Sequence, residues 1–168
     1  MKKKYFLYLL ITICLIAVSI NCQSLHARYA KVLRVIDGDT FVLTTGERVR
    51  LLGIDTPELD SKDSKEKALA NNARELSKSY AEGKTIKLTT EFSLLGGTKG
   101  WVTDIFGRTL AYVWLTNKEG KDSLFIQAEL LKSGLARILM YDKKKMYYAL
   151  FYNLRNTARR SKLGIWSK

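Results

Sequence analysis

The chain has 168 residues, of which 46% are hydrophobic, so it is long enough for one domain with a core and short for two. Its formal net charge is +13, from 29 Lys and Arg against 16 Asp and Glu, which favours nucleic acid or an anionic membrane surface as a partner. Both cysteines, Cys14 and Cys22, and the single histidine, His26, lie near the N-terminus. Because no Cys or His follows residue 26, the rest of the chain can form neither a disulfide nor a zinc site with cysteine ligands, and it cannot use a histidine pair in catalysis.

A basic segment followed by an apolar one opens the chain. Three lysines at 2–4 precede an uncharged, mostly apolar run at 5–20, which is the pattern of a secretory signal peptide. The run is slightly short for a membrane-spanning helix, which needs about 20 apolar residues. A membrane anchor that is not cleaved is the alternative interpretation. The segment 19–22 resembles a loose bacterial lipobox, in which Cys22 would become a lipidated N-terminus.

These features divide the chain into a leader and one domain. Residues 1–25 are assigned to a signal peptide or to a lipoprotein or membrane-anchor leader. We expect the protein to be exported, whether secreted, periplasmic or anchored outside the cytoplasm through its N-terminus. The domain is expected over residues 28–168, as a monomer with no protein partner implied.

The first half of the domain has the pattern of a strand meander. β-Branched and alternating residues predict strands at 31–36, 40–43 and 48–52, with turns at 37–38 and 44–47 between them. Alternation along the third strand places Arg50 on one face and Val49 and Leu51 on the other.

The second half mixes helices and strands. The patterns predict helices at 65–80, 123–133 and 143–161, strands at 84–89 and 109–115, and a flexible glycine-rich loop at 96–100. Five short strands that begin as a meander suit a five-stranded Greek-key barrel of the oligonucleotide-binding (OB) type with about three helices. The predicted fold class is α+β, mainly β, and an open α+β sandwich is the alternative.

Two acidic segments flank the predicted hairpin, Asp37-Gly38-Asp39 before it and Asp55-Thr56-Pro57-Glu58 after it. Either segment alone is read more readily as an ordinary turn. Because the chain folds back between them, Asp39 could approach Asp55, and two carboxylates with a backbone carbonyl and waters would make a calcium-like site. Glu58 is the candidate base, although a free glutamate with a pKa of about 4.3 is a weak one.

Two arginines suit the same chemistry. A guanidinium donates two parallel hydrogen bonds to phosphate oxygens and keeps its charge, which fits Arg50 and Arg108 to a phosphodiester. An arginine in so basic a chain is usually a surface or ion-paired residue, and only the neighbouring acids single out Arg50. Carboxylates for a hard cation and arginines for a phosphate together indicate a metal-dependent nuclease.

Four segments carry recognisable motifs. They are Val-Ile-Asp-Gly-Asp-Thr at 35–40, Arg-Leu-Leu-Gly-Ile-Asp-Thr-Pro-Glu at 50–58, Asp-Ile-Phe-Gly-Arg-Thr-Leu-Ala-Tyr at 104–112 and Leu-Gly-Ile-Trp at 163–166. Taken together they resemble the staphylococcal nuclease (thermonuclease) family, with that family's order and similar spacing over residues 30–167. The resemblance implies an OB barrel and calcium-dependent hydrolysis of phosphodiester bonds in DNA and RNA, with products ending in 3′-phosphate.

The resemblance also implies a role for each matched residue. Asp39 and Asp55 would bind calcium (Ca2+) directly, and Thr56 would offer its backbone carbonyl. Glu58 would hold the attacking water, while Arg50 and Arg108 would grip the scissile phosphate. Asp37 matches an acid that lies beside the ligands.

The substrate pocket is where the chain differs from the family pattern. The family prototype has Lys-Tyr where this chain has Ile105-Phe106, so a cation and a phenol are missing from the nucleotide pocket. Tyr112 and Tyr141 are candidates for substrate binding. Tyr141 is suited to base stacking and equally to core packing.

Two other functions are compatible with a basic OB fold. One is a nucleic-acid-binding surface protein without catalysis, and the other is a surface lipoprotein that binds polyanions. Members of the family that only bind usually lack several of the acids and arginines. This chain has all five matched side chains, which are Asp39, Arg50, Asp55, Glu58 and Arg108, so an enzyme is the favoured interpretation.

Overall fold

The computed structural model describes residues 27–90, 101–139 and 146–167. The predicted leader, the glycine-rich loop at 96–100 and Tyr141 lie outside these residues. Within the three described ranges, no helix is both long enough and apolar enough to cross a membrane.

The described residues form short strands and helices in the following order. The strands are β1 (Ala27–Val35), β2 (Thr40–Leu43), β3 (Arg48–Leu51), β4 (Ile54–Asp55), β5 (Thr85–Thr89), β6 (Thr109–Thr116), β7 (Asp122–Phe125) and β8 (Arg137–Ile138). The helices are α1 (Ser64–Ala81), α2 (Ile126–Lys132) and α3 (Tyr148–Arg160), followed by a 3₁₀ turn, Gly164–Trp166. Helix α1 and strands β2, β3, β5 and β6 lie within a residue or two of the predicted bounds.

The main sheet has the strand order β3-β2-β1-β5-β6-β7, and neighbours in this order run antiparallel. Strand β3 also pairs with β6 in parallel, with Val49 opposite Thr109 and Leu51 opposite Ala111. In the order of the sheet, β3 and β6 are the first and fifth strands, and this pairing brings them side by side. The arrangement confirms the predicted α+β, mainly β, OB-type fold.

One predicted helix begins too early. The sequence pattern predicts a helix at 123–133, but residues 122–125 form strand β7 and the helix begins at Ile126. The reason is packing, because Phe125 stacks on Trp114 of the neighbouring strand with ring centroids 4.0 Å apart. A cross-strand aromatic pair of this kind stabilises the extended conformation, so β7 becomes the sixth strand of the main sheet, while β4 and β8 form a separate two-stranded sheet that was not predicted.

Helix α1 holds the first acidic turn in place through small side chains. Asp63 caps the helix by accepting hydrogen bonds from the backbone N–H groups of residues 65 and 66. Ala73 and Ser77 lie on the buried face of α1. Ser77 Oγ donates a hydrogen bond to the carbonyl of Gly38 at 2.6 Å. The 37–39 turn is therefore fixed against α1 before β2 begins.

Gly38 is the tightest point of this contact, and we predict that Gly38→Ala destabilises the protein. A Cβ there would lie 2.7 Å from Thr56 Cγ2 and 2.8 Å from Ala73 Cβ, so the turn or the helix must shift. We expect a loss of about 1–3 kcal/mol in the free energy of unfolding, the usual cost of overpacking, measured by urea denaturation. Ser79→Ala, on the exposed face of the same helix, is the matched control. Equal stability of Gly38→Ala and wild type would contradict the packing argument.

Candidate active site

Asp39 lies at the start of β2 and is almost fully buried, with 5% of its surface exposed. Its backbone N–H donates to Asp37 Oδ1 at 3.0 Å, which shapes the turn. Its Oδ2 accepts hydrogen bonds from Thr56 N at 2.8 Å and from Thr56 Oγ1 at 2.9 Å. The first acidic segment is thus joined directly to the second.

Arg50 connects the two aspartates. Its Nη1 lies 3.2 Å from Asp39 Oδ2, and its Nη2 donates to Asp55 Oδ1 at 2.8 Å. Nη1 also donates to the backbone carbonyls of Ile54 at 2.8 Å and Leu51 at 3.0 Å. The fold therefore brings Asp39 and Asp55 together as expected, but around a guanidinium that is itself only 8% exposed.

The charge at Asp39 is only partly compensated. Burial, with a contribution from the negative charge of Asp37, raises the pKa of Asp39 to about 7, although Arg50 and the hydrogen bonds from Thr56 act in the opposite direction. One guanidinium thus does not fully offset the carboxylates gathered here. A further positive charge beside Asp39 would stabilise its ionised form.

Arg108 reaches the same place from the turn that directly precedes β6. Its Nε donates to Asp104 Oδ2 at 2.7 Å and its backbone N–H donates to Asp104 Oδ1 at 2.9 Å. Its Nη1 contacts Thr40 Oγ1 at 3.4 Å, and that hydroxyl donates to Asp39 Oδ1 at 3.3 Å. The parallel pairing of β3 with β6 makes this possible, because it places residue 109 opposite residue 49.

Glu58 is exposed, whereas Asp39 is buried and Asp37 and Asp55 are partly buried. Burial of part of its carboxyl and the negative charges of Asp37 and Asp55 raise the pKa of Glu58, while Arg50 lowers it. Glu58 follows the segment that carries Asp55 and Thr56 by two residues. A raised pKa makes a glutamate a better proton acceptor than a free one.

The predicted substrate contact at Tyr112 does not fit its position. Tyr112 is 1% exposed, and its ring packs edge-on against Tyr147 at 4.6 Å and Phe125 at 6.0 Å. Its neighbours Ala111 and Val113 are buried too, so the ring of Tyr112 contributes to the core and cannot stack on a base. Tyr141, the other candidate, lies outside the described residues.

Two functional residues were missed in the sequence, Asp104 and Thr40. Asp104 accepts three hydrogen bonds from the turn that carries Arg108, and Thr40 links Arg108 to Asp39. An Asp four residues before the arginine, with a glycine between them, is a turn signal that could have identified Asp104. Next to it, Ile105 and Phe106 are 91% and 63% exposed, and the Arg108 guanidinium lies 5.4 Å from the Phe106 ring centroid.

The oxygen atoms gathered at this site suit a hard cation better than a soft one. Among the described residues, no group of three or more His, Cys, Asp or Glu side chains is arranged to hold a metal. The two carboxylates that Arg50 brings together, Asp39 and Asp55, offer oxygen ligands, which hard cations such as calcium prefer. Asp55 Oδ2 receives no hydrogen bond from the described residues, and the incompletely offset charge at Asp39 favours a cation at this point.

Comparison with known proteins places this arrangement in a family. The family model described as "Staphylococcal nuclease homologue" matches residues 48–168. The chain belongs to the staphylococcal nuclease family. Arg50, Asp55, Glu58 and Arg108 lie within the matched segment, and Asp39 precedes it.

Several curated relatives extend this match. The protein named "Thermonuclease" in Staphylococcus intermedius is 33% identical over 140 residues, which covers 82% of this chain and 75% of that protein. The protein of the same name in Staphylococcus hyicus is 31% identical over 140 residues, with the same coverage. "Endonuclease YncB" of Bacillus subtilis is 36% identical over 139 residues, covering 80% of this chain and 60% of that longer protein.

The link between Asp104 and Arg108 predicts a pH-dependent contribution to stability. Burial opposes ionisation of Asp104, but hydrogen bonds from Arg108 and Phe106 hold the pKa of its carboxyl below the usual range. A lowered folded-state pKa means that the ionised group stabilises the fold above its unfolded pKa of about 3.9. This contribution is lost as the pH falls through the folded-state pKa.

We therefore expect Asp104→Asn to be less stable than wild type at neutral pH, and the difference to shrink as the pH falls below about 4. Denaturant unfolding across this pH range measures it. Asp60→Asn, at an exposed carboxylate, serves as the control. A difference that grows in acid would have the wrong sign for this account.

Proposed function

We propose that this protein is an exported, calcium-dependent nuclease that hydrolyses phosphodiester bonds of DNA and RNA and leaves 3′-phosphate ends. The observation that carries the proposal is the bridge from Asp39 through Arg50 to Asp55, with Arg108 joined to it through Thr40. It gathers acids and arginines around one point. The names of the relatives, thermonuclease and endonuclease, support the same activity.

The cation would be held by Asp39, Asp55 and the carbonyl of Thr56. When bound, a divalent ion supplies Lewis-acid polarisation of a phosphoryl oxygen. Calcium is preferred to zinc because every ligand is an oxygen. The export proposed here rests on the basic and apolar residues at 2–20.

The arginines have donors to spare for the phosphate. A guanidinium carries five N–H groups, and within the described residues Arg50 uses neither Nε nor one Nη2 hydrogen. Arg108 is held by Asp104 through Nε, which leaves its Nη2 donors available. Both guanidiniums would bind phosphate oxygens and stabilise charge that develops in the transition state.

Glu58 would accept the proton from the attacking water. The water oxygen forms a bond to phosphorus, the bond from phosphorus to the 5′ oxygen breaks, and that oxygen takes up a proton from solvent and leaves as a hydroxyl. The phosphate then stays on the 3′ oxygen. Because Glu58 is only moderately basic, we expect the arginines and the cation to account for more of the acceleration than proton transfer does.

Removing Arg108 tests the assigned chemistry. Arg108→Ala should lower turnover of plasmid DNA and of RNA by roughly 10²–10³, the usual effect of losing one transition-state donor, while circular dichroism stays unchanged. Arg34→Ala, an exposed arginine on β1, removes the same charge away from the site and should cleave normally. Equal turnover of Arg108→Ala and wild type would refute the role of Arg108.

Chelation tests the metal assignment. EDTA should abolish cleavage and added calcium should restore it, because the carboxylates cannot be offset by Arg50 alone. Product ends identify the bond that is cut, since phosphatase treatment should be needed before the 3′ ends can be extended. Cleavage that persists in excess EDTA would contradict the calcium assignment, and products with free 3′-hydroxyls would contradict the proposed bond.

A further inference from the structure

Two neighbouring clefts lie near the 3₁₀ turn at the C-terminal end of the described residues. A cleft of about 230 Å³ is lined by residues that include Pro57, Lys65, Arg137 and Ile165. A larger cleft of about 420 Å³ is lined by Arg159, Lys162, Ile165, Trp166 and Ser167. The two clefts share Ile165, and we refer to them together as the C-terminal groove.

The groove adjoins the candidate active site at two lining residues. Pro57 stands between Thr56, which holds Asp39, and Glu58, the proposed base. Arg137 of β8 lies opposite Asp55 of β4 in the antiparallel pairing. The near end of the groove is therefore next to residues of the site.

The lining of the groove is cationic. Arg137, Arg159 and Lys162 have no carboxylate partner within the part of the chain that the structure describes. Two carboxylates also line the groove, Asp63 and Glu66, which accept hydrogen bonds from the first turn of α1 and from Ser61 Oγ. The four cations of the lining, Lys65, Arg137, Arg159 and Lys162, outnumber them, and the net positive charge is complementary to a phosphate backbone.

The groove is also rigid at its centre. Ile165 N donates to the carbonyl of Gly134 at 2.9 Å, and Lys65 Nζ donates to the carbonyl of Ser167 at 2.9 Å. Gly134 has a positive φ of 68°, and a Cβ there would lie 2.3 Å from the carbonyl oxygen of Leu163. These contacts fix the 3₁₀ turn between the ends of α1 and α2, so that its side chains have a defined position.

We propose that the C-terminal groove binds the polynucleotide beyond the scissile bond, with phosphates against Arg137, Arg159 and Lys162. This inference rests on the proposed function for its substrate class. The groove would lengthen the binding site so that it contacts several nucleotides. Proteins that bind single-stranded nucleic acid use positively charged grooves of this kind, which follow the phosphate backbone. Trp166, whose ring lies 5.9 Å from the Arg159 guanidinium, forms part of the wall.

Arg159 also has a structural role, which the test must distinguish from nucleic-acid binding. Basic residues at the end of a helix stabilise it through the helix dipole, and Arg159 lies in the last turn of α3. Lys162, however, has a φ of 53°, in the left-handed region that glycine adopts more easily. Lys162→Gly therefore removes the charge without adding backbone strain.

The test compares the double variant Arg159→Gln/Lys162→Gly with the control Lys118→Gln/Lys121→Gln. The control removes the same charge from the turn between β6 and β7, which lines neither cleft. Binding is measured by fluorescence anisotropy with labelled single-stranded DNA of about 3 and about 12 nucleotides, spanning the range that an OB fold covers. EDTA is present, and the salt concentration is varied.

The groove predicts a loss that depends on substrate length. The groove variant should bind the longer strand more weakly and lower the slope of log K against log salt by about 1.4, because each phosphate contact contributes about 0.7 for a single strand. Its affinity for the shorter strand should be unchanged, and the control should match wild type. Equal effects of both double variants, or a loss of stability without a change in binding, would overturn the proposal.

This experiment separates the groove from the catalytic proposal, since binding is measured without cleavage. If the wild type binds the longer strand through these cations and never cuts it in calcium, the nuclease proposal fails and the groove remains. If it cuts normally and the groove variant binds and cuts like wild type, the groove fails alone.

Discussion

The structure depends on one guanidinium buried between two carboxylates. Arg50 contacts Asp39 and Asp55 at once, and it also binds two backbone carbonyls of the segment that joins them. Breaking a buried ion pair of this kind usually costs about 3–5 kcal/mol. Here Asp39, whose pKa burial raises to about 7, can take up a proton instead, which limits the cost. A cation bound beside Asp39 would compete with that proton and stabilise the ionised carboxylate.

The rest of the fold positions groups around this bridge. Helix α1 packs its small side chains against Gly38 and so fixes the turn that carries Asp39. The parallel pairing of β3 with β6 brings Arg108 across from a distant part of the sequence, and Asp104 fixes the direction of its guanidinium. These contacts are made before any substrate binds, which is the condition for electrostatic stabilisation of a transition state.

Much of this was accessible from the sequence because it depends on local patterns. Alternation and turn residues predicted β2, β3 and the hairpin between them, and the hairpin indicated that Asp39 could approach Asp55. The sequence could not show that Arg50 is buried, because alternation along β3 places it on a face without saying what covers that face. It also suggested that Tyr112 binds substrate, whereas tertiary packing with Phe125 and Tyr147 encloses its ring.

The central claim is that Asp39 and Asp55 act as one cation site organised by Arg50. The direct test is calorimetric titration of calcium into the wild type, Asp39→Asn, Asp55→Asn and the double variant. If both carboxylates share one ion, each single variant should lose at least about tenfold in affinity, or about 1.4 kcal/mol, and the two losses should not add in the double variant. Calcium affinity unchanged by either single substitution would contradict the account.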